Sequence, residues 1–129
     1  MKINALKSAL LNGEYDSRLE YIYGEAAVSA QKERYAAAID SFVALYGADR
    51  DAALYSVAGR SELSGNHTDH NHGRVIAASI DLDIIAVASP NAESLIRVKS
   101  EGFHEDIIDI NVFTSPREVP EGSSDELIA

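Results

Sequence analysis

Apolar residues in the first part of the chain recur at three- and four-residue intervals, whereas later they gather in short β-branched blocks. Ile3, Leu6 and Leu10 make one stripe of a short helix, and Asn12-Gly13, which tolerate a left-handed backbone, end it. Leu19, Ile22 and Tyr23 predict a second short helix, with Asp16 or Ser17 as its N-cap and Gly24 as its stop. Residues 25–46 are alanine-rich and carry Val28, Tyr35, Ile39, Phe42, Val43 and Tyr46 at helical spacing before Gly47. This is the longest predicted helix, and its aromatic stripe reads as core rather than as a face for a cofactor.

Beyond Gly47 the texture predicts strands at 53–58, 75–79, 82–89, 95–100 and 106–112, with Pro90-Asn91 and Gly102 as breaks. Helices followed by strands argue for an α+β fold. Its sheet is expected to be mixed or antiparallel, with a meander in the second half and helices on one face. Asp81 and Asp83 lie two apart and so share a strand face, where they could act as an acid pair or hold a cation. Ile80, Leu82 and Ile84 alternate with them, so the pair reads as a solvated sheet edge or turn and is not assigned chemistry.

The 129 residues, 46% hydrophobic, are enough for a single domain over 1–129 with its own core. A net charge of −10 excludes general attraction to nucleic acid or to an anionic membrane. With no cysteine there are no disulfides or thiolate zinc sites, which is compatible with a reducing cytoplasm. No apolar run approaches the roughly 20 residues needed to span a bilayer, and the N-terminal apolar run is too short for a signal peptide. A soluble cytoplasmic protein is expected. Residues 114–122 read as a loop, and Ser123 with Glu126 resembles a capping box opening a helix with only about one turn to run. So short a helix is unstable alone, and the expectation is that the chain is the front of something longer.

The densest chemistry is in GRSELSGNHTDHNHGR, residues 59–74. His67, Asp69, His70 and His72 are competent metal ligands, but in an extended segment His67 and Asp69 face away from His70 and His72. A helix would bring His67 and His70 together, yet Gly65, Asn66, Thr68, Asp69, Asn71 and Gly73 are turn formers. Only an irregular loop would gather the ligands, so no metal is assigned. A neutral polyol suits the segment better. Asp69 can accept bonds from two vicinal hydroxyls, and His67 can donate or accept. Arg60 adds a planar cation suited to orienting a carboxylate or stabilising charge on a transferring phosphoryl group.

Ser56-Val57-Ala58-Gly59-Arg60, followed by Gly65-Asn66-His67-Thr68-Asp69-His70-Asn71-His72-Gly73, resembles the galactokinase signature (A)PGR-V-N-L-I-G-E-H-T-D-Y-N-x-G. With its flanks, from Phe42 to Gly47 and from Ala77 to Pro90, the likeness covers most of residues 35–113. Galactokinases sit among the small-metabolite kinases of the GHMP group. The resemblance implies the N-terminal domain of that fold, the ribosomal protein S5 domain 2-like kinase fold, and phosphorylation of galactose at C1 with ATP and Mg²⁺. It implies that Asn66, His67 and Asp69 belong to the sugar site, and that Arg60 lies beside the reacting hydroxyl as a catalytic and sugar-binding residue.

The family's glycine- and serine-rich phosphate loop has no counterpart between Asn111 and Ala129. The ATP-binding remainder is therefore expected elsewhere, and these residues alone are expected to be inactive. Three departures bear on the substrate: Asn66 stands where glutamate is usual, Ser61-Glu62-Leu63-Ser64 where Val-Asn-Leu-Ile is usual, and His70 where tyrosine is usual. They leave open galactose against a related hexose. They also leave open a catalytic kinase against a non-catalytic, kinase-like sugar sensor. A histidine-rich metal buffer ranks below both, and the oligomeric state is not assigned.

Overall fold

The computed structural model describes residues 1–66 and 68–111, with Asp69 described by its backbone alone. The chain divides into two compact units, Met1–Pro90 and Asn91–Ala129. The first opens with α1 (Ile3–Leu11), α2 (Asp16–Tyr23), a single 3₁₀ turn (Glu25–Ala27) and α3 (Val28–Tyr46). The predicted stops hold. Gly24 and Gly47 follow α2 and α3 with φ of 83° and 85° and extended ψ, a backbone that essentially only glycine adopts.

The start of α2 differs from expectation. Tyr15 occupies the cap position and no side chain caps the helix. Asp16 is instead the first helical residue, where a carboxylate meets the positive helix end, and it pairs with Lys32 of α3 at 2.9 Å.

Two strands follow, β1 (Ala53–Ser64) and β2 (Ile76–Ala88), paired antiparallel as one long hairpin. The predicted strands 75–79 and 82–89 are thus one strand, interrupted by a bulge. The helices cover one face of it. Ile3, Leu6 and Leu10 of α1, Leu19 of α2, Tyr35 and Ile39 of α3, and Ala52 form the core, against which Leu54, Ile85 and Val87 of the hairpin pack. Tyr35 and Ile39 are buried, so the aromatic stripe of α3 does serve the core. The amino end joins this arrangement directly. Lys2 bridges antiparallel to Asp51, Ile3 donates its amide to the Arg50 carbonyl at 3.0 Å, and Ala52 donates to the Met1 carbonyl at 2.8 Å.

In the second unit β3 (Leu95–Lys99) and β4 (Glu105–Asp109) pair antiparallel, with Ile96 opposite Ile108. The Asn91 carboxamide accepts from the Glu93 amide at 2.8 Å and donates to the Leu95 carbonyl at 3.0 Å, which shapes the turn into β3. Among the described residues the strands of the second half therefore form two pairs, β1–β2 and β3–β4, where a meander was expected. The expected loop at 114–122 and the helix start at Ser123 lie outside the described residues. Among the described residues no helix is long and apolar enough to cross a membrane.

Candidate functional site

The signature lies on the β1–β2 hairpin and its connecting turn. Leu54, Ser56 and Ala58 pair with Val87, Ile85 and Asp83, and partners directly opposite in an antiparallel pair share a face. That face turns toward the helices, while Tyr55, Val57, Leu82 and Ile84 on the other are exposed. Register then breaks: Ala58 pairs with Asp83 but Arg60 with Ser79, so Gly59 stands opposite the bulged residues 80–82. A Cβ at Gly59 would come within 2.8 Å of the Leu82 carbonyl oxygen. Glycine precedes the arginine because the arched β2 backbone fills the place a side chain would take.

Arg60 follows on β1 with an exposed side chain, and no hydrogen bond or ion pair engages its guanidinium among the described residues. That leaves a planar five-donor cation facing solvent near the turn.

The turn from Gly65 to Val75 is irregular. Gly65 has φ 120° and packs so closely on Val75 that an added Cβ would lie 2.6 Å from the Val75 Cα. Asn66 follows with φ 52°, a left-handed conformation that asparagine tolerates better than most residues. Asp69–Asn71 make one 3₁₀ turn, and His72 is again left-handed at φ 62°. Alternation along an extended segment therefore does not apply to His70 and His72. His67 and the Asp69 side chain lie outside the described atoms. Of the four residues singled out from the sequence, Arg60 is placed on β1 and Asn66 exposed at the start of the turn.

Beneath the hairpin lies a polar cluster that sequence reasoning missed. Asp83 was expected on a solvated edge, but its side chain is only 4% exposed. Its Oδ1 receives Arg34 Nη1 at 2.6 Å, and Arg34 Nη2 donates to the Asp83 carbonyl at 2.9 Å. Its Oδ2 accepts from the Tyr23 and Ser56 hydroxyls, each at 2.5 Å, and the Tyr23 hydroxyl also meets that of Tyr35 at 2.9 Å. Burial alone would push the Asp83 carboxyl up. Hydrogen bonds from Ser56, Tyr23 and Arg34, with the guanidinium charge, outweigh it and hold the group below the ordinary carboxylate range. Burial and the bond to Asp83 push the Tyr23 phenol the other way, far above its usual value. The cluster fastens β1 and β2 to α2 and α3 a few residues before Arg60. Asp81 is exposed, whereas Asp83 is turned into the cluster. The available signal was parity: Asp83 is in step with Ile85 and Val87, the residues that pack on the core.

A cleft of about 560 Å³ also opens in the first unit, lined by Leu10, Tyr15, Leu19, Tyr35, Leu54 and Ser56 among others. None of the described turn residues lines it.

Residues 40–90, which run from the last two turns of α3 through β2, match the family model described as the galactokinase galactose-binding signature. A galactokinase from Streptococcus mutans is 38% identical over 73 residues, covering 56% of this chain and 18% of that protein. One from Enterococcus faecalis is 37% identical over 67 residues, 52% of this chain and 17% of that protein. The human galactokinase is 37% identical over 62 residues, 46% of this chain and 16% of that protein. The chain spans less than a fifth of the length of these curated relatives. No solved structure matches.

Proposed function

We propose, from this family-level homology to galactokinases, that the chain supplies the sugar-recognition part of an ATP-dependent galactokinase that phosphorylates galactose at C1. In this reading His67 and Asp69 hydrogen-bond the ring hydroxyls, Asn66 borders them, and Arg60 stands beside the hydroxyl that is phosphorylated. The supporting observation is that the 40–90 match falls on one structural unit, the helix-backed hairpin with its glycine-hinged turn.

The chemistry suits a neutral polyol. An ionised carboxylate accepts from vicinal hydroxyls, and an imidazole donates or accepts as its tautomer allows. A hydrogen bond to a charged group contributes about 1.5–3 kcal/mol, enough to separate epimers that differ in one hydroxyl. The guanidinium of Arg60, which has no hydrogen-bond or ion-pair partner among the described residues, suits charge that develops on oxygen.

Mg²⁺ and ATP do not fit the described residues. They contain no group of three carboxylate or imidazole ligands, and no stretch of the chain resembles a phosphate loop, so no step through nucleotide or metal is assigned to them. One observation favours the alternative of a non-catalytic sugar sensor. A neutral amide at Asn66, where galactokinases usually carry glutamate, suits recognition without charge.

Titration calorimetry with galactose, and with glucose as control, tests the reading. Saturable binding of galactose that Asp69→Ala abolishes supports it, and an affinity unchanged by Asp69→Ala removes the sugar site from this turn.

A further inference from the structure

Between His67 and Asp69 in sequence stands Thr68, whose hydrogen bonds stay within the turn. Its hydroxyl donates back to the Gly65 carbonyl at 2.7 Å. Its own carbonyl accepts two amides, from Asn71 at 3.0 Å and from Gly73 at 2.8 Å. The fit is close on the far side too, since a Cβ at Gly73 would fall on the Thr68 hydroxyl. Both ends of the loop are thereby drawn to one residue. On either side of it the chain takes left-handed turns, at Asn66 and His72, a backbone that non-glycine residues keep only where their surroundings over-determine it. The Thr68 bonds hold the neighbours of both, Gly65 before Asn66 and Asn71 and Gly73 on either side of His72.

We propose that Thr68 is the positioning residue of the sugar-binding turn: its hydroxyl and carbonyl tie Gly65, Asn71 and Gly73 together and so fix the shape of the turn. This rests on the sugar-binding reading above. The role belongs to the hydroxyl and not to the bulk of the side chain. Valine has the same branched shape without a donor, and serine keeps the donor without the methyl.

The test compares Thr68→Val and Thr68→Ser in the whole chain by galactose calorimetry, thermal melting, and NMR exchange of the Asn71 and Gly73 amides. Thr68→Val should lower galactose affinity by about tenfold or more, since displacing recognition groups by a fraction of an ångström costs on that order. Thr68→Ser should stay within about twofold of the parent. Melting temperatures should remain alike. The amides of Asn71 and Gly73 should exchange faster in Thr68→Val alone, with shifts at the backbone amides of His67 and Asp69.

A folded Thr68→Val chain that binds like the parent overturns the proposal. So does a Thr68→Ser chain as impaired as Thr68→Val. If the parent itself takes up no galactose, the sugar reading fails, and the exchange measurement still decides the role of Thr68: unchanged protection and unchanged amide shifts in Thr68→Val refute it.

Discussion

Removing the Asp83 carboxylate is the sharpest perturbation of the polar cluster that ties the hairpin to α2 and α3. In Asp83→Ala the Arg34 guanidinium and the Tyr23 and Ser56 hydroxyls lose a shared acceptor that lies almost out of reach of water. Breaking one half of a buried pair costs about 3–5 kcal/mol, because it leaves the other half uncompensated. Arg34 is 39% exposed, so solvent takes up part of its loss and the expected cost falls to roughly 3 kcal/mol. A loss of that size lowers the melting temperature of a domain this small by roughly 10–20 °C. Asp83→Asn keeps one acceptor oxygen and the shape, and should cost about 1–2 kcal/mol.

The assay is thermal and denaturant unfolding at several pH values. A carboxyl held below its ordinary value stabilises the fold fully above its unfolded-state pKa of about 3.9, and that contribution is lost as pH falls through the lower folded value. The gap between parent and Asp83→Ala should therefore be widest near neutrality and close in acid below that value. A neutral-pH gap under about 0.5 kcal/mol, the size expected of an ordinary surface change, would refute the reasoning. So would a gap of constant size across the acid range.

Two further substitutions probe the hairpin and its turn. Gly59→Ala drives a Cβ to 2.8 Å from the Leu82 carbonyl oxygen and 3.2 Å from Ile80 Cγ1. It should cost roughly 1–3 kcal/mol on denaturant unfolding, and wild-type stability would mean the bulge is not tightly set. At Asn66, with φ 52°, glycine should melt within about 0.5 kcal/mol of the parent while glutamate costs about 1 kcal/mol, and equal melting of both variants would show that the turn does not hold this conformation.

Helix ends were legible because they are local: Gly24 and Gly47 stop helices by what glycine alone permits. The core face of α3 was legible for a similar reason, since Tyr35 and Ile39 fall on one helical stripe. β2 was harder. From residue 82 to 88 both strand faces carry apolar residues, Leu82 and Ile84 on one and Ile85 and Val87 on the other, so hydrophobicity does not choose between them. The choice is set by donors remote in sequence, Tyr23 and Arg34, which only the fold brings to Asp83. The composition of the turn announced an irregular loop, but not that Thr68 would be its hub, because a hydroxyl bonding back three residues leaves no periodic trace.

The short braid that the amino end makes with residues 50–52 has a practical consequence. Ile3 is wholly enclosed, and the backbone of Met1 holds Ala52, immediately ahead of the strand that leads to Arg60. A purification handle fused ahead of Met1, or a protease nick behind Ile3, would act where that strand is moored. Engineering meant to leave the turn untouched should leave these first residues alone as well.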